Sequence, residues 1–188
     1  MLLTRMVQLN QKKISSMNSF SNRIVNWYKK NGRHDLPWRK NISPYSIWIS
    51  EIMLQQTQVK TVIPYFNKFI EKYPNLEALI QASEDEILAQ WSGLGFYRRA
   101  KNIYKACRVI SENFNNKFPT NINDLESLPG IGRSTAGAIM SIAFNEGHPI
   151  LDANVKRVLG RYKKISFKTE NEKQKKLWLI SEKLTPNK

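Results

Sequence analysis

The sequence predicts an all-α protein, and three observations support this fold class. Apolar residues recur at intervals of three and four through most of the chain, which is the spacing of one face of an α-helix. Residues that start and end helices separate these segments. No stretch alternates apolar and polar residues for long enough to indicate a β-strand.

The first part of the chain predicts an arm and two helices. Residues 1–17 are polar and irregular, with Met17 as an alternative start of translation. The first helix is predicted at Ser19–Lys30 and ends at Gly32, where glycine permits a left-handed residue. An irregular stretch follows up to Pro44, which suits the first turn of the next helix. That helix, YSIWISEIMLQQ, is apolar on nearly every side and is predicted to be buried.

Seven more helices are predicted from periodicity and from their start signals. Ser83 and Glu86 have the spacing of a capping box, and Asn123 with Glu126 fits the same pattern less well. The seven helices are Gln58–Lys72 (bent at Pro64), Ser83–Trp91, Tyr97–Asn115, Ile122–Leu128, Arg133–Phe144, Asn154–Tyr162 and Asn171–Lys183.

The charge balance indicates a polyanionic partner. The 188 residues include 30 basic and 15 acidic side chains, for a net charge of +15. Nucleic acid is the first candidate and an anionic membrane surface the second. An A+T-rich genome would also enrich lysine, but it does not explain the shortage of acids. Because no apolar run has the length of a membrane span and no signal peptide is evident, the sequence predicts a cytoplasmic protein without a membrane partner.

The segment LPGIG has the features of a phosphate-binding hairpin. Gly130 and Gly132 permit a tight turn with positive φ, and the next helix is predicted to start at Arg133 or Ser134. Its amino-terminal dipole would favour an anion, and the absence of a Cβ would let a phosphate approach the backbone. The alternative is an ordinary corner between two helices.

Two carboxylates are candidates for chemistry. Asp152 precedes a predicted helix, so it suits an N-cap as well as a site residue, and Asn154 could share the capping role. Glu51 lies inside the apolar stretch IWISEIML, where removal from water favours the neutral form that a general acid needs. It could equally be a hydrogen-bonded structural residue on a polar stripe with Gln55. One protonated and one ionised acid together suit the cleavage of a glycosidic bond.

Four segments together resemble the adenine DNA glycosylases, a family of the helix-hairpin-helix (HhH-GPD) base excision repair superfamily. These segments are SEIMLQQTQV, GLGFY, LPGIGRSTAG and ILDANVKRV, and they occur in the family's order. The resemblance runs from about Phe20 to Pro186. It implies a six-helix barrel with the hairpin and part of a second helical domain.

The resemblance also implies catalytic roles. Glu51 would protonate an adenine flipped out of the duplex. Asp152 would stabilise the oxocarbenium-like sugar, directly or through a covalent intermediate, and Asn154 would organise the site. Gln56 and Phe96 match positions that push into the base stack during extrusion.

The hairpin would bind the DNA backbone. The residues that the resemblance assigns to this contact are Leu128, Gly130, Gly132, Arg133 and Ser134. Ser134 also stands where the endonuclease III branch has its nucleophilic lysine, and a serine cannot form a Schiff base. This difference, together with Glu51, indicates a monofunctional glycosylase rather than a lyase.

The sequence departs from the family in two ways. Ala153 replaces the usual glycine beside the catalytic acid, which is harmless if its φ is negative. The family also continues with four cysteines that bind one [4Fe-4S] cluster and with a domain that senses 8-oxoguanine. The chain has one cysteine, Cys107, so it encodes no metal or cluster site and is expected to be truncated before those parts.

The predicted organisation follows from these segments. It comprises an arm (1–17), an N-terminal helix and connecting loop (18–43), a six-helix barrel (44–150) and the start of a cluster domain (151–188). The predicted function is hydrolysis of the glycosidic bond of adenine mispaired with guanine or 8-oxoguanine in double-stranded DNA, by a nucleoid-associated monomer. A DNA-binding remnant without activity is the alternative, followed by an endonuclease III-type glycosylase and lyase.

Overall fold

The structure, a computed structural model, describes residues 20–164 and 169–186. Every regular element in these ranges is a helix, which confirms the predicted all-α class. The chain divides into two compact units. The continuous unit is Asp35–Glu146, and the terminal unit combines Met1–His34 with Gly147–Lys188. The predicted arm, residues 1–17, lies outside the described residues, and the predicted domain boundaries near residues 43 and 150 stay predictions.

The helices are numbered α1 to α11 in chain order. In the terminal unit, α1 covers residues 20–31. The others are α2 (Pro37–Lys40), α3 (Pro44–Leu54), α4 (Val59–Lys72), α5 (Leu76–Ile80), α6 (Glu84–Trp91), α7 (Arg98–Asn113), α8 (Ile122–Ser127), α9 (Arg133–Ala143), α10 (Ala153–Lys163) and α11 (Glu170–Leu184).

Helix α3 lies at the centre of the continuous unit. It begins at Pro44, as predicted, and Ser43 before it forms a capping box with Ser46. Most of its side chains are buried, and it packs against α4 and α9. Trp48 is fully buried there. The apolar character that α3 has on nearly every side therefore reflects neighbours on several sides.

Helix α7 forms the second framework of this unit. It packs against α5 and α6, and its apolar side chains Ile103, Cys107 and Ile110 are fully buried. The helices α8 and α9 pack against each other and flank the turn at residues 128–132. These contacts place the ends of α3, α6 and α8 within one packed core.

The terminal unit has its own small core. Leu151, Leu159 and Leu177 are buried, and Phe20 packs beside them. The Ser21 hydroxyl donates to the Leu184 carbonyl at 2.6 Å, which joins α1 to the end of α11.

Several local predictions require correction. The irregular stretch before Pro44 contains the short helix α2, and α5 was not predicted. Gly32 ends α1 without a positive φ, and glycine is required there because a Cβ would lie 2.5 Å from the Tyr28 carbonyl oxygen. The N-cap of α8 is Asn121, whose side chain accepts from the Asp124 amide, and not Asn123.

Candidate nucleic-acid interface and catalytic residues

Glu51 is a half-buried carboxylate on the most buried helix of the continuous unit. Its neighbours Ser50 and Ile52 are 0% and 1% exposed, whereas Glu51 keeps partial access to solvent. The Glu51 side chain is therefore only partly withdrawn from water, on a helix whose other residues are mostly buried. A carboxyl group at such a position can reach a bound molecule, which proton transfer requires.

The chain makes a sharp turn directly after α3. Gln56 is exposed and has a φ of +58°, in the left-handed region that residues other than glycine seldom adopt. Just before it, the Gln55 side-chain amide donates to the Gly130 carbonyl at 3.4 Å. The end of α3 is thus tied to the hairpin.

A second sharp turn, residues 92–97, follows α6. Gly93 has a φ of +91°, and a Cβ there would collide with the Tyr65 hydroxyl. Phe96 has a φ of +51°, and 54% of its surface is exposed. The indole nitrogen of Trp91 donates to the Gly95 carbonyl at 3.1 Å. A large aromatic ring is therefore presented to solvent from a fixed turn.

Arg99 joins these two turns, although the sequence alone did not single it out. One guanidinium nitrogen donates to the Met53 and Gln55 carbonyls at 2.7 and 2.5 Å. The other donates to the Gly95 carbonyl at 3.0 Å. The residue is 7% exposed. Arg99 lies four and eight residues before the buried Ile103 and Cys107, which places it on the apolar face of α7. This spacing was the one feature of the sequence that indicated a buried arginine.

The hairpin has the predicted order of helix, turn and helix. Gly130 has a φ of +83°, and a Cβ there would lie 2.8 Å from the Asn102 Cβ. Gly132 differs from the prediction, since its φ is −93° and a Cβ there would meet no atom within 4 Å. It is the N-cap of α9 and offers no side chain to cap that helix. Only Gly130 is required by the turn itself.

The other hairpin residues separate into core and surface. Leu128 is 2% exposed, so its side chain belongs to the hydrophobic core and only its backbone could contact DNA. Arg133 is exposed and Ser134 half-buried in the first turn of α9, which starts at Arg133 as predicted. At its surface the hairpin therefore has backbone groups, the Ser134 hydroxyl and the Arg133 guanidinium, while Leu128 packs in the core beneath them.

Asp152 is the N-cap of α10 in the terminal unit. Its carboxylate accepts a hydrogen bond from the Val155 amide at 2.7 Å, and the residue is exposed. Ala153 begins the helix without a positive φ, so the methyl group that replaces glycine causes no backbone strain. The Asn154 side-chain oxygen accepts from the Arg157 guanidinium at 3.2 Å. The capping role predicted for Asp152 is confirmed, and it leaves the carboxylate accessible.

The residues present do not fit a [4Fe-4S] cluster. Such a cluster needs four thiolates, and the chain has only Cys107. This thiol is fully buried in the core of the continuous unit, where burial raises its pKa to about 12. Residues 20–164 and 169–186 contain no group of three or more potential metal ligands.

Within the described ranges, no helix has the length and apolar character needed to cross a bilayer.

Residues 49–183 match the family described as HhH-GPD superfamily base excision DNA repair protein. The chain is 55% identical over 168 residues to the adenine DNA glycosylase of Buchnera aphidicola subsp. Schizaphis graminum, which covers 89% of the chain and 48% of that protein. It is 39% identical over 161 residues to the adenine DNA glycosylase of Homo sapiens, covering 81% of the chain and 29% of that protein. The chain spans about half the length of the Buchnera relative.

Solved structures share the fold. A thermostable thymine-DNA glycosylase superposes with a TM-score of 0.78 at 29% identity, covering 92% of the chain and 80% of that structure. An endonuclease III in complex with DNA superposes with a TM-score of 0.69 at 21% identity, covering 94% and 75%. The family match extends from α3 through the hairpin to α11. The chain belongs to the HhH-GPD superfamily of base excision DNA repair proteins.

Proposed function

We propose that the chain is a monofunctional DNA N-glycosylase that removes adenine mispaired with guanine or 8-oxoguanine. The observation that carries this proposal is Glu51, a carboxylate that the most buried helix holds at the edge of the apolar core. The similarity to named adenine DNA glycosylases, which includes the segments around Glu51 and Asp152, supports the choice of adenine.

Glu51 acts as the general acid. Adenine is a poor leaving group while it carries the electron pair of the broken glycosidic bond. A proton from the Glu51 carboxyl neutralises that charge as the bond between the sugar and the base breaks. Its partial exposure leaves the carboxyl within reach of a base that enters the site. The carboxylate that remains can then accept a proton from the attacking water.

Asp152 stabilises the positive charge that develops on the sugar. Its carboxylate is exposed and is fixed by the Val155 amide at the amino terminus of α10. A carboxylate fixed in this way lowers the energy of an oxocarbenium-like transition state, either by its charge or by bonding to the sugar carbon. Asn154, hydrogen-bonded to Arg157, organises the first turn of this helix.

Double-stranded DNA is the proposed partner, bound by one copy of the chain. The net charge of +15 supplies an attraction to phosphate that does not depend on base sequence. The hairpin around Gly130 and Gly132 binds the backbone together with Arg133 and Ser134. Such a protein would act in the cytoplasm on the nucleoid.

The test is an excision assay on a duplex with one adenine opposite 8-oxoguanine, followed by alkaline cleavage of abasic sites. We expect cleavage with the unmodified chain. Glu51→Gln should lower the rate of excision by about 10²–10⁴-fold, the usual contribution of general acid catalysis. Asp152→Asn should also abolish most activity but keep the helix, since asparagine caps as well as aspartate. Glu77→Gln removes an exposed carboxylate of α5 and is the matched control.

Three outcomes would contradict parts of the proposal. Binding without excision in the unmodified chain would favour the DNA-binding alternative. Full activity of Glu51→Gln would exclude Glu51 as the acid. A covalent adduct trapped by borohydride would contradict a monofunctional enzyme, because Ser134 cannot form the Schiff base that borohydride reduces.

A further inference from the structure

The two exposed turns after α3 and α6 are held by one buried cation. Arg99 is 7% exposed, and its hydrogen bonds run to backbone carbonyls of Ile52, Met53, Gln55, Leu94 and Gly95. Among the described residues, no carboxylate pairs with it. Its two terminal nitrogens make all of these bonds, and its Nε is buried without a partner in the described part of the chain. A buried charge that contacts only neutral carbonyls is costly to maintain, so the five acceptors must be fixed in place for it to persist.

Two of these carbonyls, those of Gln55 and Gly95, each directly precede an exposed residue with positive φ. Gln55 precedes Gln56, and Gly95 precedes Phe96. In each case the carbonyl that Arg99 binds belongs to the peptide unit whose orientation sets φ of the next residue. Both following residues have positive φ, at +58° and +51°. Arg99 therefore stabilises the left-handed conformation at both exposed positions.

Aromatic contacts extend the same arrangement to the Phe96 side chain. The Arg99 guanidinium carbon lies 5.2 Å from the centroid of the Phe96 ring and 5.4 Å from that of Trp91. Trp91 in turn donates to the same Gly95 carbonyl. A planar guanidinium can bind carbonyls along its edge and stack on rings at the same time, whereas a lysine ammonium cannot.

We propose that Arg99 is a positioning residue that presets Gln56 and Phe96 as one unit for extrusion of the target base. The inference rests on the proposed function, because it assigns these two exposed residues to opening the base stack. Extrusion of a base costs unstacking energy. If Gln56 and Phe96 are already fixed before DNA binds, less conformational entropy is lost when they enter the base stack. Arg99 does not touch the reacting atoms and acts only through the two turns.

The experiment compares Arg99→Met with Arg108→Met. Arg108 also lies on α7, where it donates to the Ile80 carbonyl at the end of α5 and lies 5.2 Å from the Tyr104 ring centroid. Both variants lose one positive charge and one cap of a helix end, but only Arg99 contacts the turns. Arg99→Lys, which keeps the charge without the planar fork, is the second variant should Arg99→Met fail to fold.

Two adenine substrates separate extrusion from chemistry. The first is a duplex with adenine opposite 8-oxoguanine, and the second has adenine opposite an abasic site, where less pairing must be broken. We expect Arg99→Met to lower the single-turnover rate on the first duplex by about 10–100-fold. The loss should be much smaller on the second. Arg108→Met should change both rates by the same factor.

Hydrogen exchange of the free protein gives a readout that needs no DNA. Arg99→Met should accelerate exchange in both segments 52–58 and 92–97, and Arg108→Met should leave these segments unchanged. Equal rate losses on the two duplexes, or unchanged exchange in either segment, would overturn the inference. If the unmodified chain excises from neither duplex, the proposed function fails, and the exchange data alone decide whether Arg99 fixes both turns.

Discussion

Gln56 and Phe96 occupy a backbone region that costs most residues free energy. A left-handed conformation outside glycine costs on the order of 1–3 kcal/mol and persists only where the surroundings impose it. Both residues are exposed, so burial of their own side chains does not repay that cost. The carbonyl contacts of Arg99 before each residue supply the constraint.

The two hairpin glycines should respond differently to a methyl group. Gly130→Ala adds a Cβ at a φ of +83°, 2.8 Å from Asn102, so we expect the free energy of unfolding to fall by about 1–3 kcal/mol. Gly132→Ala meets no atom within 4 Å at a φ of −93°, so stability should hardly change. Urea unfolding of both variants measures this difference.

DNA binding then distinguishes the reasons for each glycine. If a phosphate approaches the backbone at residue 132, Gly132→Ala should weaken duplex binding while leaving stability intact. Unchanged affinity in that variant would show that Gly132 is not a contact residue.

Among individual residues, the sequence predicted side chains better than backbone angles. The position of Glu51 inside an apolar helix was evident from spacing alone. The φ of Gly132 was not, because a glycine is compatible with both signs of φ and the choice depends on the neighbouring helices. Arg99 was missed since a charged residue is ordinarily assigned to the surface, although its spacing put it on the buried face of α7.

Among single helices, α6 shows how the sequence determines a start. The Ser83 hydroxyl accepts from the Glu86 amide at 3.2 Å, and the Glu86 carboxylate accepts from the Ser83 amide at 2.9 Å. Hydrogen bonds from the Ser83 backbone and side chain lower the pKa of Glu86. The predicted capping box is confirmed.

Ser83→Ala should lower the free energy of unfolding by about 1 kcal/mol at neutral pH, through loss of the N-cap. The pKa of Glu86 in the folded protein lies below its ordinary value of 4.5. The contribution of the Glu86 carboxylate to the free energy of unfolding is therefore complete above pH 4.5 and is lost as the pH falls through the folded pKa. The difference between the two proteins should therefore narrow under acid conditions. Ser92→Ala, at the other end of α6, is the control and should be neutral.

Helix length decided which elements the sequence could reveal. The long helices α4, α7 and α11 show several turns of apolar periodicity and were predicted within a few residues. Helices α2 and α5 have four and five residues, which is too short for a period to repeat. Asn121 was missed as the cap of α8 because Asn123, two residues on, carries the same side chain.

In the molecule as a whole, the continuous unit is built on one large apolar core. Cys107 is fully buried within it, and burial raises the pKa of the thiol to about 12 from an ordinary value of 9.0. The folded state therefore keeps the thiol protonated at a pH where the unfolded chain loses the proton.

The sign of this shift predicts a loss of stability in alkali. The contribution of the protonated Cys107 thiol to the free energy of unfolding is fully present below pH 9 and is lost as the pH rises toward 12. Cys107→Ala should be slightly less stable near pH 8, because it leaves a small cavity. Above pH 9 the difference in free energy of unfolding between the unmodified protein and Cys107→Ala should close, because the variant has no thiol to lose a proton. Denaturant titrations across this range test the prediction, and a gap that stays constant with pH would contradict it.

The predicted class and family needed only pattern and motif, but the division into two units depends on contacts far apart in the chain. Phe20 and Tyr162 stack at 4.1 Å between ring centroids, and no local pattern links these residues. Long-range pairing of this kind is invisible to periodicity.

The pairing of Ser21 with Leu184 has a consequence for biosynthesis. These residues are 163 positions apart. At about 5–20 residues per second, a ribosome adds Leu184 roughly ten to thirty seconds after Ser21. The continuous unit emerges complete during that interval, whereas α1 leaves the exit tunnel first and finds its neighbours last. An isolated helix of this length is only marginally stable in water. Nascent-chain experiments should therefore find residues 35–146 folded before α1 packs against α11.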